Sequence, residues 1–171
     1  MSAEERLYRD LDAAGIAYGV HEHPAVFTVE QSQAIKTDIA SFGPCLHTKN
    51  LFLKDAGGSF FLLTVPAEAR INLKRVHPLL PSRRLSFGKP DAMEHLIGVT
   101  PGSVTPLAMI NAEAGAITLV LDQRLAVEEA VGVHPLRNTA TLTLKGTDVL
   151  AVARSWGHDP RVVDLPKIPA D

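Results

Sequence analysis

The stretch KNLFLKDAGGSFFLLTVP, residues 49–66, decides the fold of this chain. It holds two apolar runs, at 49–54 and 59–66, joined by the sequence Asp-Ala-Gly-Gly. Glycine adopts the positive backbone angles that a tight connection between two strands demands. The stretch therefore predicts a β-hairpin.

Short helices and strands are predicted on both sides of this hairpin. N-terminal to it we expect a helix between a Ser2–Glu5 capping box and Gly15, a strand at 16–22, and a second helix from the Thr28–Gln31 capping pattern to about Lys36. C-terminal to it we expect helices at 67–76, at 90–97 and from Thr147 to Gly157, and strands near 84–87, 104–110, 117–121 and 139–144, with RVVDL extended at the end. Because the strands come in hairpin-like groups and do not alternate strictly with helices, a fully parallel sheet is not required. We predict an α+β fold in which residues 1–171 form a single domain, with a mixed, mostly antiparallel, barrel-like sheet flanked by short helices.

Composition excludes several broad classes of protein. Of the 171 residues, 46% are hydrophobic and 21% are charged, as in ordinary globular proteins, so a disordered or fibrous chain is excluded. The formal net charge of -2 argues against the long basic surface of a protein that coats duplex DNA. Cys45 is the single cysteine and cannot form an intrachain disulfide, and the sequence has neither a secretory h-region nor an apolar run of about 18 residues. We therefore expect a cytoplasmic protein that does not span a membrane.

The common catalytic and metal-binding motifs are missing from this sequence. It contains no GxSxG elbow, HExxH helix, Walker loop or GxGxxG fingerprint. His21 and His23 would share one face of a strand as a candidate metal pair, but no acidic or cysteine partner stands at ligand spacing. Cys45 and His47 are a candidate nucleophile and base, although a lone cysteine is usually a small hydrophobic residue. We expect no metal ion and no cofactor.

Three segments place polar residues and glycines beside apolar strands. They are HTKNLFL at 47–53, GVTPGSVTP at 98–106 and GVHPLRNTATL at 132–142. In the first, Lys49 and Asn50 stand at the mouth of a strand, where a cation and an amide can hold a phosphate or a carbonyl. Each segment taken alone is also explained as a solvated lysine or an ordinary turn. Three such loops leading into strands predict a pocket at one end of the sheet.

These segments carry a resemblance to a known family. In their order and spacing, HEHPAVFTVEQS, HTKNLFLKD, GVTPGSVTPLAM and GVHPLRNTATL resemble the YbaK/prolyl-tRNA synthetase editing-domain superfamily of INS-like aminoacyl-tRNA deacylases, over roughly residues 5–165. Asn50 after the lysine resembles the freestanding PrdX or ProXp-ala branch, whereas the Cys-tRNA(Pro) branch tends to have KTL there. The resemblance implies a trans-editing deacylase that hydrolyses mischarged Ala-tRNA(Pro) to alanine and tRNA(Pro).

The same resemblance implies roles for individual residues. The expected catalytic residues are Lys49, which would engage the terminal phosphate or the aminoacyl carbonyl, Asn50, which would orient the substrate, and His134, which would pass a proton. An aminoacyl ester is already activated, so the enzyme has to position water and stabilise an oxyanion without supplying a nucleophile. Backbone amides at 98–103 would donate to that oxyanion. The expected substrate-binding residues are Phe27, Thr28, Ile39, Gly98, Pro101, Gly102, Ser103, Gly132, Pro135 and Asn138.

The expected partners are the aminoacylated acceptor end of tRNA(Pro) and prolyl-tRNA synthetase, and no specific DNA binding is expected. Three alternatives stay open: a Cys-tRNA(Pro) deacylase, a non-catalytic tRNA- or nucleotide-binding module, and a domain that binds a free amino acid. Cations at Lys74, at Arg75 and in 83–85 are candidate contacts to the acceptor stem, but from the sequence alone solvated surface charge is the better explanation for each of them.

Overall fold

Eight strands form one sheet among the described residues, which are 1–25 and 45–169 of this computed structural model. In chain order they are β1 (Gly19–Glu22), β2 (Leu46–Asp55), β3 (Phe60–Pro66), β4 (Leu85–Phe87), β5 (Thr118–Asp122), β6 (Val131–Val133), β7 (Ala140–Leu144) and β8 (Arg161–Val163). Their spatial order is β1-β7-β6-β2-β3-β5-β8, and β4 pairs with β2 outside this path. Four pairings are antiparallel and three are parallel, which confirms the predicted mixed sheet.

The predicted hairpin is confirmed as β2 and β3, and Asp55 fixes its turn. The Oδ1 atom of Asp55 accepts from the backbone N–H groups of Gly57 at 3.0 Å and Ser59 at 2.8 Å. Gly58 completes the turn with a φ of 93°, which suits glycine. Hydrogen bonds from backbone N–H groups, that of Ser59 first, hold the pKa of Asp55 below its ordinary value. A turn fixed in this way also fixes which residues of β2 and β3 face each other.

Four α-helices accompany the sheet in the same part of the chain: α1 (Ala3–Ala13), α2 (Pro90–Ile97), α3 (Gln123–Ala126) and α4 (Gly146–Ser155). The predicted capping box is present, because the N–H of Glu5 donates to Ser2 Oγ at 3.1 Å and the N–H of Ser2 donates to Glu5 Oε2 at 3.2 Å. Helix α2 ends as predicted at Gly98, whose φ is 66°. None of the described helices has the length and the apolar character that a membrane span requires.

The helix predicted at 67–76 is wrong. The chain there turns and forms a short 3-10 helix, Leu73–Arg75. Its backbone groups bond to the C-terminal segment, where the N–H of Asn72 donates to Pro166 O at 2.8 Å and the N–H of Ile168 donates to Arg70 O at 2.7 Å. Tertiary partners thus replace the bonds within a helix that the local propensity favoured.

Two further predictions are corrected in the second half of the chain. The strand predicted near 104–110 is a 3-10 helix, Pro106–Asn111, in which Thr105 Oγ1 accepts from the N–H of Leu107 at 3.3 Å. A short apolar run cannot separate a buried strand from a buried helix, which explains the error. Thr147 does not cap α4, because Lys145 occupies the N-cap position.

Two hydrophobic clusters pack on opposite faces of the sheet. Directly opposed residues of paired strands point to the same face, and successive residues along a strand point to opposite faces. The larger cluster packs α1, α2 and α4 against the first face, with buried members that include Leu11, Phe52, Leu62, Ile97, Leu142 and Val152. The smaller cluster lies on the second face and comprises Leu53, Phe61, Leu63, Val65, Val76, Leu80, Val120 and Leu165. Of the described residues, none from β6 or β7 belongs to the smaller cluster, so other side chains occupy that end of the second face.

Candidate functional site

Polar side chains occupy the second face of the sheet where β6 and β7 lie. His47 is directly opposite Gly132 in β6, which in turn is opposite Thr143 in β7. Thr141, also in β7, is opposite His21 in β1. Opposed residues share a face, so the register collects these side chains on one surface. The polar face, as we call it, comprises His21, His47, Lys49, Gly132, Thr141 and Thr143.

Lys49 is the cation of the polar face. It stands two residues beyond His47 along β2, so both side chains point the same way. Burial lowers the pKa of Lys49 below its ordinary value, and the positive charge of Arg70 lowers it further. None of the ion pairs among the described residues involves Lys49. A partly desolvated ammonium group without a carboxylate partner is suited to bind an anionic or carbonyl oxygen.

Asn50 is turned to the opposite face of β2, where its side chain joins three segments. Its Nδ2 donates to the backbone oxygen of Val104 at 2.9 Å, and its Oδ1 accepts from Thr64 Oγ1 at 2.7 Å. Thr64 is fully buried and Val104 nearly so. Asn50 therefore ties the hairpin to the 98–106 segment and does not share a face with Lys49. Its role in orienting a substrate stays a prediction.

Two of the oxyanion donors predicted at 98–103 are engaged within the chain. The N–H of Gly98 donates to Glu94 O at 2.9 Å, and the N–H of Ser103 donates to Thr100 O at 2.9 Å. Pro101 has no N–H to offer. The oxyanion role of this segment therefore falls to its other amides and stays a prediction.

His134 follows β6 and is held by the backbone of β7. Its Nδ1 donates to Ala140 O at 3.2 Å, because a carbonyl oxygen can only accept. Burial lowers the pKa of His134, and the positive charge of His23 lowers it further, although the bond to Ala140 acts in the opposite direction. The imidazole is therefore neutral near pH 7, and its Nε2 lone pair, which accepts no hydrogen bond from a described residue, can take up a proton from water or a ligand.

His23 extends the polar face beyond β1. Its Nδ1 donates to Pro24 O at 2.8 Å, and its Nε2 lies 2.9 Å from Thr141 Oγ1. His21, two residues earlier, points to the same face. Within residues 1–25 and 45–169, no three or more His, Cys, Asp or Glu side chains are grouped so that they could hold a metal ion.

Gly132 permits close packing on the polar face. A Cβ atom at this position would stand 3.1 Å from Thr141 Cγ2 and 3.4 Å from Cys45 Sγ. Cys45 Sγ in turn lies 3.4 Å from His47 Nε2, within the range of a hydrogen bond to sulfur. A larger residue at position 132 would have to displace these groups. Gly132 fits between them because it has no side chain, and its predicted part in substrate binding stays a prediction.

Arg137 is a residue of this region that sequence reasoning missed. Its Nε donates to both carboxylate oxygens of Glu4, at 3.0 and 2.9 Å, and its Nη1 and Nη2 donate to the two oxygens of Glu22 at 2.7 Å. The bonds to Glu22, then those to Glu4, raise the pKa of Arg137. Leu136 beside it has a φ of 70°, which is rare for a residue other than glycine. These ion pairs hold the loop after His134 against α1 and β1.

The remaining predicted site residues fall into two groups. Pro135 is buried, and Gly102 and Asn138 are partly buried, in the two loops already described. Phe27, Thr28 and Ile39, together with the helix predicted from Thr28, lie outside the described residues. A shallow groove at the end of β3 contains none of the predicted residues; it is lined by Pro66, Glu68, Ala69, Gln123, Arg124, Val127, Asp164 and Lys167.

Comparisons with known proteins agree on one family. A family model described as an aminoacyl-tRNA editing domain matches residues 23–152. The chain is 30% identical, over 96% of its length and 99% of the relative's, to the prolyl-tRNA editing protein ProX of Acetoanaerobium sticklandii. It is 35% identical to the prolyl-tRNA synthetase associated domain-containing protein 1 of Bos taurus, over 94% of each chain. The crystal structure of a proposed trans-editing enzyme for prolyl-tRNA synthetase shares the fold, with a TM-score of 0.67 and 22% identity over 97% of this chain and 98% of that one.

Replacing Asn50 should destabilise the fold. Asn50→Ala removes both side-chain hydrogen bonds and leaves the Thr64 hydroxyl and the Val104 carbonyl unsatisfied, so we expect the free energy of unfolding to fall by about 2–3 kcal/mol in urea denaturation. The control is Asn111→Ala: this exposed asparagine donates to Ile97 O at 3.0 Å and accepts from Arg6 Nη2 at 3.4 Å, and because water can reach the residue, the loss should be about 1 kcal/mol or less. Equal losses for the two variants would contradict the joining role of Asn50.

Proposed function

This chain belongs to the aminoacyl-tRNA editing domain family, and we propose that it hydrolyses the ester bond of mischarged Ala-tRNA(Pro), releasing alanine and tRNA(Pro). The observation that carries this proposal is Lys49, a partly buried cation on the polar face that forms no ion pair with any described carboxylate. Its ammonium would bind the terminal phosphate or the aminoacyl carbonyl, and a neutral side chain cannot replace it in either role.

His134 supplies the proton transfer in the proposed reaction. Its neutral Nε2 accepts a proton from water as the water oxygen attacks the carbonyl carbon of the ester. The bond between that carbon and the ribose oxygen then breaks, and the ribose oxygen takes up the proton. Amides of the 98–106 segment would donate to the oxyanion that forms in between. No covalent intermediate with the protein is needed, because the ester is already activated.

A size limit would explain why alanine is removed and proline is spared. A synthetase pocket built for proline cannot strongly reject the smaller alanine, because each missing methylene costs only about 1–3 kcal/mol. A second site that admits a methyl group and excludes the proline ring corrects the error. Phe27, Thr28 and Ile39, which lie outside the described residues, stay the residues that the sequence predicts for its lining.

The partners follow from the same proposal. The relatives are named for prolyl-tRNA editing and for association with prolyl-tRNA synthetase. We propose that this chain acts on tRNA(Pro) charged by that synthetase, in the cytoplasm. Asn50 in the KNL motif favours alanine over cysteine as the amino acid removed.

The direct test compares three substrates with the purified protein. We expect release of alanine from Ala-tRNA(Pro), much slower release of cysteine from Cys-tRNA(Pro), and no release of proline from Pro-tRNA(Pro), measured as loss of radiolabelled ester. Faster release of cysteine would assign the cysteine reaction instead. Tight binding of tRNA without cleavage of any of the three esters would favour the non-catalytic module.

Removing the Lys49 ammonium should abolish hydrolysis without unfolding the protein. We expect Lys49→Ala to lower kcat/KM by about 100-fold or more, since a charged group aimed at the reacting oxygen is lost. The free energy of unfolding should change by less than about 0.5 kcal/mol, because no ion pair is broken. Lys54→Ala is the control, because Lys54 is an exposed lysine of the same strand that points to the other face. Full activity of Lys49→Ala would exclude Lys49 from the site.

The pH profile should report on His134. Because burial lowers its pKa, we expect kcat/KM to fall with pH only below the ordinary value of 6.5, as His134 becomes protonated. His134→Asn keeps a donor toward Ala140 O but has no titrating group, so its residual activity should lack this acidic limb. If the limb persists in His134→Asn, a group other than His134 is responsible for it.

A further inference from the structure

We propose that residues 69–90 form a docking surface for the phosphate backbone of the tRNA acceptor stem; this inference rests on the proposed function. The segment contains Arg70, Lys74, Arg75, Arg83, Arg84 and Lys89 but no aspartate or glutamate. These are six of the 17 lysines and arginines, which leaves 11 against all 19 acidic residues in the rest of the chain. The segment is therefore strongly basic, whereas the rest of the chain is net acidic.

All six cations of this basic segment are exposed. None of them takes part in the ion pairs found in the described part of the chain, whereas Arg9, Arg124, Arg137, Lys145 and Lys167 do. Arg83 lies beside the Asp55 carboxylate, which accepts from its backbone N–H at 3.1 Å. The other five have their charge available to an anionic partner.

The basic segment is fixed to the body of the protein. Val76 and Leu80 insert into the smaller hydrophobic cluster, while the cations on either side of them in the sequence are exposed to solvent. Backbone bonds hold both ends, with the N–H of Asn72 donating to Pro166 O and the N–H of Ala56 donating to Arg84 O at 2.9 Å. Cations on a fixed frame lose less conformational entropy on binding than those of a mobile tail.

The basic segment starts beside the candidate site. Arg70 is close enough to Lys49 for its charge to lower the pKa of the lysine. The smaller cluster, which the segment covers, lies on the same face of the sheet as the polar face. An RNA strand that places its 3′ end at Lys49 would therefore have its preceding phosphates over this segment. A regularly charged RNA backbone matches a set of exposed cations that form no ion pairs within the described residues, and each contact would release counterions.

Binding of uncharged tRNA(Pro) tests the surface directly. We expect Lys74→Ala/Arg75→Ala/Arg84→Ala to bind at least about tenfold more weakly at moderate salt, and to lower the slope of log affinity against log salt by about 2–3. The matched control removes three exposed cations from the other side of the sheet, in Arg9→Ala/Lys145→Ala/Arg154→Ala. The control should bind like the unaltered protein. An affinity and salt slope unchanged in the first variant, or lowered equally in both, would overturn the proposal.

Hydrolysis of two substrates separates docking from chemistry. The first variant should lose kcat/KM for Ala-tRNA(Pro) but keep it for the 3′-alanyl ester of adenosine 5′-monophosphate, which has none of the preceding phosphates that would lie over the basic segment. Equal losses on both substrates would overturn the docking role. If the unaltered protein cleaves neither ester, the proposed function fails, and the binding experiment still decides the docking surface on its own.

Discussion

The alternation of side chains along β2 is the constraint on which the rest of the site depends. Lys49 and Asn50 are adjacent, yet one belongs to the polar face and the other to the interior that the helices cover. A shift of one residue in the pairing with β3 would exchange them, burying the lysine among apolar side chains and exposing the asparagine. The Asp55 turn at one end and the Asn50–Thr64 hydrogen bond in the middle both hold the register. These two local interactions thus keep the Lys49 ammonium on the polar face.

The site is assembled from segments that are far apart in the sequence. Parallel pairing of β2 with β6 brings Gly132 to His47, and pairing of β6 with β7 brings in Thr141. The loop between β6 and β7 then carries His134 to the same region. Each pairing is a backbone contact, so the chemistry of the polar face depends on strand order more than on any single side-chain contact.

The sequence predicted the parts of this protein whose signals are local. The hairpin at 49–66, the Ser2–Glu5 capping box and the end of α2 at Gly98 depend on neighbouring residues and are confirmed. The helix at 67–76 was wrong because its backbone finds partners near Pro166, at the other end of the chain. The Pro106–Asn111 helix was mistaken for a strand because an apolar run fits both when it is buried.

The same limit applies to the candidate site. The motifs predicted Lys49, His134 and Gly132 as site residues, and the strand register places them on or beside one face of the sheet. The resemblance to the editing family is confirmed. A strand at 49–54 already implies that Asn50 and Lys49 point to opposite faces, but the sequence could not reveal that the face of Asn50 is the one that the helices cover. Nor could it reveal Arg137, whose partners Glu4 and Glu22 become neighbours only after β1 pairs with β7.

The ion pairs of Arg137 bear on where this protein can be shortened. A chain trimmed to begin at His23 would keep every residue of the polar face except His21, but it would lack both carboxylates that hold the guanidinium. The half-buried charge would then be uncompensated, and the unusual backbone angle at Leu136 would lose its support. The loop that follows His134 is therefore held by the first turn of α1, although that turn is far from the candidate site in the sequence.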